Sequence, residues 1–268
     1  MRKSIAFIII SLMTVCATAQ NLYIGSFYVT TNTEEKLYGD GKDKWTERQV
    51  HISNLFRYEQ PDVLGLQGAT TTQQSAIRSK INSGLTSVLT YKLAQDILYN
   101  KTVELDTCNM VENMPEGSTC SWAKMRKDGK AFYVFNFCFS TENSVATSSA
   151  SRVRTAIDEI NTEGLPVLIV GDLGVNETKS AYTWLKAKYN DCFTTAAVVS
   201  AEYGTKNNFD LAANHGTERY DFIFASKTIT VKAYGQLQSA YFTQESDGTY
   251  KRRQLSTHFP VMAKVKLP

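Results

Sequence analysis

The chain has 268 residues, 43% of them hydrophobic, and sets 29 lysines and arginines against 26 aspartates and glutamates for a formal net charge of +3. That balance leaves no electrostatic footprint for bulk nucleic-acid binding, while the length and apolar content suffice for one domain with a substantial core. No paired Cys-x-x-Cys or His-x-x-x-His spacing points to a structural zinc site.

The first residues read as a secretory signal. Arg2 and Lys3 supply the positive region, Ile5 to Val15 the apolar core, and Ala17-Thr18-Ala19 a small-x-small cleavage site before Gln20. The apolar run is shorter than the ~20 residues a spanning helix needs. Cys16 follows Val15, which is larger than a lipobox residue, so cleavage after Ala19 is favoured over lipidation. The expected organisation is a signal peptide over 1–19 and a single exported domain over 20–268, periplasmic or extracellular, with no membrane span. Cleavage removes two basic residues and leaves 27 − 26 = +1.

Leu22 to Val29 alternates and is β-rich, as a strand should be. Thr46 to Tyr58 sets Val50, Ile52, Leu55 and Phe56 at helical spacing before Pro61, and Asp62 to Leu66 is a short buried strand. Ser75 to Ile81 reads as a short helix and Ile97 to Val103 as a strand. Ser121 to Met125 and Ala131 to Phe139 flank Lys127-Asp128-Gly129-Lys130, a hairpin turn. Ser148 to Ile160 is helical, Pro166 to Val170 a strand, Ala181 to Lys188 a helix, and Tyr220 to Ala225, Ile229 to Leu237 and Phe259 to Lys266 are strands. Cys108 and Cys120 could close a loop disulfide in an oxidising compartment, whereas buried thiols are the expectation for Cys138 and Cys192. Lys251-Arg252-Arg253 reads as a solvated basic loop, with a phosphate-attracting patch as the lesser alternative. His51 lies on a predicted helix and reads as a surface or packed residue rather than a ligand, and His215 has no obvious partner in sequence.

Five segments fall in a recognisable order: Ile24-Gly25-Ser26-Phe27-Tyr28, Pro61 to Gly68, Tyr133 to Cys138, Gly171-Asp172-Leu173-Gly174 and Ser256-Thr257-His258-Phe259-Pro260. Across the mature chain they resemble the endonuclease/exonuclease/phosphatase superfamily, whose patterns at these places read S-Y-N, P-D-x-x-x-x-Q-E, N-T-H, G-D-x-N and S-D-H-x-P. The resemblance implies an α/β fold, a four-layer sandwich of two mixed β-sheets face to face with flanking helices, as in DNase I. In that family Mg²⁺-assisted phosphoester hydrolysis needs hard oxygen ligands and a residue that orients water.

Most of those positions have changed. The family's metal-ligand Glu falls on Gly68, the Asn of S-Y-N on Tyr28, the His of N-T-H on Cys138, the Asn of G-D-x-N on Gly174 and the Asp of S-D-H on Thr257. Asp172, Asp221 and His258 survive; by resemblance Asp172 orients water, and Asp221 supports His258 beside the phosphate. The structural alternative makes Asp172 a turn cap and Asp221–His258 a satisfied pair, and with no metal ligand beside them that reading is favoured. The loop around Lys92 to Asp96 is shorter than in active relatives, and Cys108 to Thr119 replaces another of their loops.

The expectation is therefore a non-catalytic protein of this fold that binds an unidentified ligand or protein partner, with no cofactor. The alternative is a metal-dependent phosphodiesterase or phosphatase with a rewired site, which would use Mg²⁺. Restoring Glu at 68 and Asp at 257 is expected to recover metal affinity if the family's geometry is kept.

Overall fold

The computed structural model describes residues 21–41, 43–83, 90–201, 204–211 and 216–268; residues 1–19, expected to be a signal peptide, and His215 lie outside the described residues. Strand β1 (Asn21–Tyr28) leads to the short helix α1 (Asn32–Tyr38), which Thr31 and Glu34 start with a capping box, and to α2 (Trp45–Glu59). Helix α2 buries Ile52 and Phe56, whereas Val50 faces solvent. The wholly buried β2 (Val63–Gln67) precedes α3 (Thr71–Asn82), capped by Thr70 with Gln73 and buried through Ile77 and Ile81.

Short strands β3 (Lys92–Ala94) and β4 (Ile97–Tyr99) follow, then β5 (Val103–Met110). The single strand expected over Ile97 to Val103 is thus broken in two. Asn100 causes the break: its side-chain oxygen accepts from the Thr102 amide at 2.9 Å and from the Thr102 hydroxyl at 2.6 Å, an Asx turn that sends the chain into the other sheet. Strands β6 (Thr119–Lys127) and β7 (Lys130–Cys138) form the expected hairpin, with Asp128 at φ 48° and Gly129 at φ 83° as its two-residue turn.

Helix α4 (Asn143–Ile160) buries Ala146, Ala150, Val153 and Ile157 on one face. Then come β8 (Val167–Asp172), α5 (Ser180–Lys186), β9 (Asn190–Asp191), α6 (Cys192–Thr195) and β10 (Val198–Ser200). Strands β11 (Asp221–Ala225), β12 (Thr230–Gln236), β13 (Ala240–Gln244), β14 (Tyr250–Gln254) and β15 (Val261–Lys266) complete the chain.

One sheet has the order β10-β12-β15-β1-β2-β4-β3 and the other β5-β6-β7-β8-β11-β9, with β13-β14 a separate hairpin. The two large sheets meet through β1, β2 and β15 against β7, β8 and β11, and Ile24, Val63, Val134 and Val170 fill the space between them. A second core lies under α4 and α5, around Phe135, Val153 and Leu185, and a third under α2 and α3, around Phe56, Leu64 and Ile77. The result is a four-layer sandwich of helices, sheet, sheet and helices.

Of the two states left open for Cys108 and Cys120, the structure has free thiols. Cys108 opposes Ala123 across β5 and β6, and an odd offset of three from Ala123 puts Cys120 on the opposite face of the sheet. The first packs toward the inter-sheet core and the second is buried under the helices, so no disulfide can join them. The basic run at 251–253 is not a loop but most of β14, and Arg253 is buried. Its guanidinium reaches Asp40, Asp43 at 3.4 Å and Glu245 at 3.1 Å, counter-charges that hold the run as structure.

Candidate functional site

Strand pairing brings the surviving residues together at the ends of β8 and β11. Parallel pairing of β7 with β8 sets Cys138 opposite Asp172, and antiparallel pairing of β8 with β11 sets Asp172 opposite Asp221. The turn entering β15 adds His258, whose Nδ1 donates to Asp221 Oδ2 across 2.9 Å. On the other side Gly68 follows β2, next to Tyr28 in β1, and its amide donates to the Cys138 thiol. All eight positions drawn from the sequence patterns thus lie in one neighbourhood, in or immediately behind one cleft.

Their environments differ. Asp172 Oδ1 accepts from the Gly174 amide at 2.9 Å, and burial pushes its carboxyl up to about 6 although His258 pulls the other way. Asp221 is fully buried, and its Oδ1 has no hydrogen-bond partner among the described residues. His258 is 3% exposed; burial alone would lower its pKa, but the Asp221 carboxylate outweighs that and raises it. Burial and the Asp172 charge push the Cys138 thiol well up, so it stays protonated and is no nucleophile. Cys138 is only partly buried, less than expected, because it lines the cleft. Cys192 is fully buried as expected.

The substituted positions are closed in different ways. Tyr28 lays its ring on His258, with centroids 4.4 Å apart, and donates its hydroxyl to Glu34 Oε2 at 2.8 Å. Thr257 is sunk in a hydroxyl network: Thr30 Oγ1 donates to its Oγ1 at 3.1 Å and accepts from its amide at 2.7 Å. Gly68 has φ +66°, and a Cβ there would stand 2.7 Å from the Val29 carbonyl oxygen and 2.9 Å from the Tyr28 ring. Gly174 has φ +70°, with a Cβ position 2.3 Å from the Ser140 carbonyl oxygen. At both glycines the backbone lies in the left-handed region, where an L side chain is strained whatever the space.

Asp172, Asp221 and His258 offer ligand atoms within 4.8 Å of one another, a buried group able to hold a metal ion. The set does not fit Mg²⁺, which takes near-ideal octahedral oxygen coordination anchored by carboxylates. One Asp221 oxygen is committed to His258, the imidazole is a nitrogen donor, and the places of the family's other carboxylates are Gly68 and Thr257.

Two further residues belong to the site. Lys206 forms a β-bridge with His258, lies 5.5 Å from the Tyr220 ring centre, and acts on Asp172 as a cation. Glu34 reaches the cleft from α1, its Oε2 held by the Thr31 amide at 3.0 Å and the Thr31 hydroxyl at 2.9 Å. The spacing Thr31-x-x-Glu34 is a capping-box signal legible in sequence; Lys206 lies in a loop without periodicity and gave none. Together with Tyr28, Cys138, Asp172 and His258 these residues line a cavity of about 300 Å³.

No family model and no curated protein matches the chain. Solved structures do match it. An endonuclease/exonuclease/phosphatase family protein of Bacteroides thetaiotaomicron is 23% identical over 93% of this chain and 98% of its own, with a TM-score of 0.81. The mannosyl-6-phosphatase of B. thetaiotaomicron VPI-5482 is 23% identical over 91% of this chain and 99% of its own, with a TM-score of 0.79. D. rerio TDP2 complexed with a single-strand DNA product is 15% identical over 92% and 99%, with a TM-score of 0.65. The chain has the fold of the endonuclease/exonuclease/phosphatase superfamily.

Proposed function

We propose that the chain is an exported, non-catalytic protein of this fold that binds a ligand in the remnant of a phosphoesterase cleft. The observation that carries this reading is Gly68. Its left-handed backbone and the Val29 carbonyl leave no room for a side chain where the family's metal-ligand Glu stands. Without a Lewis acid, Asp172 and His258 can supply acid–base help worth about 10²–10⁴-fold. The slowest phosphate-ester hydrolyses require accelerations of up to ~10²¹. Export rests on the signal-like segment before Gln20, and N-terminal sequencing of secreted protein beginning at Gln20 would support it.

The test is hydrolysis of bis-p-nitrophenyl phosphate, p-nitrophenyl phosphate and mannose 6-phosphate with Mg²⁺ or Mn²⁺, run beside the double variant Asp172→Ala, His258→Ala. Turnover no higher than that of the double variant is expected. A second reading, a hydrolase with a rewired metal site, draws on the Asp172–Asp221–His258 group. Saturable divalent-dependent turnover abolished by Asp172→Ala would establish it in place of the first.

A further inference from the structure

Beyond Cys138 and Gly117, which line both spaces, the 300 Å³ cavity continues into a larger one of about 480 Å³. Among the described residues the larger cavity is lined by no lysine or arginine and by one carboxylate, Asp96. Asp96 is held from the side by the Ser121 hydroxyl, and burial raises its pKa although the Asn136 and Ser121 hydrogen bonds oppose the shift. Thr71, Gln95 and Thr119 line the same cavity, are exposed, and have no side-chain hydrogen bond among the described residues. Leu93 and Met110 add apolar surface.

Hydroxyl and amide groups both donate and accept, as sugar hydroxyls do, and here they are uncommitted. A phosphate ligand meets the reverse of what it needs. Glu34 and Asp172 face the smaller cavity with Asp221 behind His258, and Asp96 faces the larger, against Lys206 and His258 as the cationic groups. Since the donors do not fit Mg²⁺, Lys206 and His258 are left to offset the repulsion a phosphate dianion would feel among the more numerous carboxylates. Carboxylates accept strong hydrogen bonds from neutral hydroxyls without that penalty.

We infer that the larger cavity is a binding subsite for a neutral, unphosphorylated sugar, with Thr71, Gln95, Asp96 and Thr119 bonding its hydroxyls. The inference rests on the non-catalytic reading and changes the ligand from a phosphoester to a polyol. Its test is an array of neutral mono- and oligosaccharides with their phosphorylated counterparts, followed by calorimetric titration of the mature chain with the best neutral glycan. We expect binding of a neutral glycan, at least about tenfold weaker binding of its phosphate, and about a tenfold loss in Gln95→Ala and in Thr119→Val. Both variants lie on the exposed rim, and unchanged circular dichroism and unfolding temperature would confirm that they fold. No neutral glycan bound, a phosphorylated form bound as tightly, or full affinity in both folded variants would each overturn the inference. Turnover of a phosphorylated sugar with Mg²⁺ would instead sink the non-catalytic reading, and this inference with it.

Discussion

The Tyr28 ring stacks on the His258 imidazole at 4.4 Å with an interplanar angle of 28°, and its hydroxyl is held by Glu34. An aromatic ring therefore covers part of the imidazole that would have to approach a phosphate, and α1 holds the cover in place.

Removing that cover should be measurable chemically. Tyr28→Phe keeps the stack and loses one hydrogen bond to a charged acceptor, so stability should fall by about 1.5–3 kcal/mol, toward the lower end because Glu34 remains partly solvated. Tyr28→Asn removes ring and bond together. His258 in that variant should react with diethyl pyrocarbonate much faster than in the wild type, where it is 3% exposed. Equal labelling rates by mass spectrometry would mean that the ring does not shield it.

Reinstating the family's carboxylates should fail, since the recovery expected from sequence depends on a backbone able to accept them. Gly68→Glu must force an L side chain into φ +66° with its Cβ against the Val29 carbonyl, and Thr257→Asp must bury a charge among the Thr30 and Ser256 hydroxyls. Strain of this kind costs on the order of 1–3 kcal/mol at one residue. The double variant should unfold at a lower temperature than the wild type and show no saturable Mg²⁺ binding at sub-millimolar concentration. A stable double variant that binds Mg²⁺ would show that the backbone relaxes toward the active geometry.

The fold was legible because each apolar frame survives where its polar residue does not: Val63 to Gln67, Tyr133 to Cys138 and Val167 to Asp172 are strands whose burial depends on the frame alone. The closure of the site was not legible. A Gly at 68 in place of Glu can be read in sequence, but its positive φ and the Val29 carbonyl and Tyr28 ring that crowd a Cβ there cannot. Arg253 looked solvated because Asp40 lies 213 positions away, and a local window cannot see a counter-charge at that distance. Spacing left Cys108 and Cys120 open to a disulfide or free thiols, and only strand alternation decides it by putting them on opposite faces.

Asp172 sets a pH dependence with a definite sign. Burial is the main cause of its rise from 3.8 to about 6, so the folded state binds this proton more tightly than the unfolded chain. Below about pH 3.8 both states are protonated and the shift has no effect; as pH rises through that value toward 6, the unfolded state loses its proton first and stability is lost. His258, also raised, acts in the same direction: its contribution is present at low pH and disappears as pH rises through its folded value. Asp172→Asn cannot charge, so relative to the wild type it should gain about 2–3 kcal/mol between pH 4 and pH 7. Chemical denaturation of both proteins across that range checks this, and a constant difference between them would show that Asp172 does not titrate there.

Arg48 carries the last prediction. Its side chain is fully buried in α2, lies 5.4 Å from the Phe209 ring centre, and donates to the carbonyls of Asp43 at 2.8 Å and Leu255 at 2.9 Å and to the Glu35 carboxylate at 2.8 Å. It thereby ties α1, which carries Glu34, to α2 and to the segment before His258. Arg48→Ala leaves buried carbonyls and Glu35 without their donor, a loss of about 3–5 kcal/mol where one partner of a buried pair is removed. The Glu35 carboxylate is 16% exposed and can recover some hydration, which places the expected cost at the lower end of that range. Arg48→Met, which keeps much of the packing, should be milder, and Glu35→Gln in the Arg48→Ala background should restore part of the loss. Loosening α1 should also raise the diethyl pyrocarbonate reactivity of His258 in Arg48→Ala. Destabilisation without any change at His258 would separate the stability of α1 from its role over the cleft.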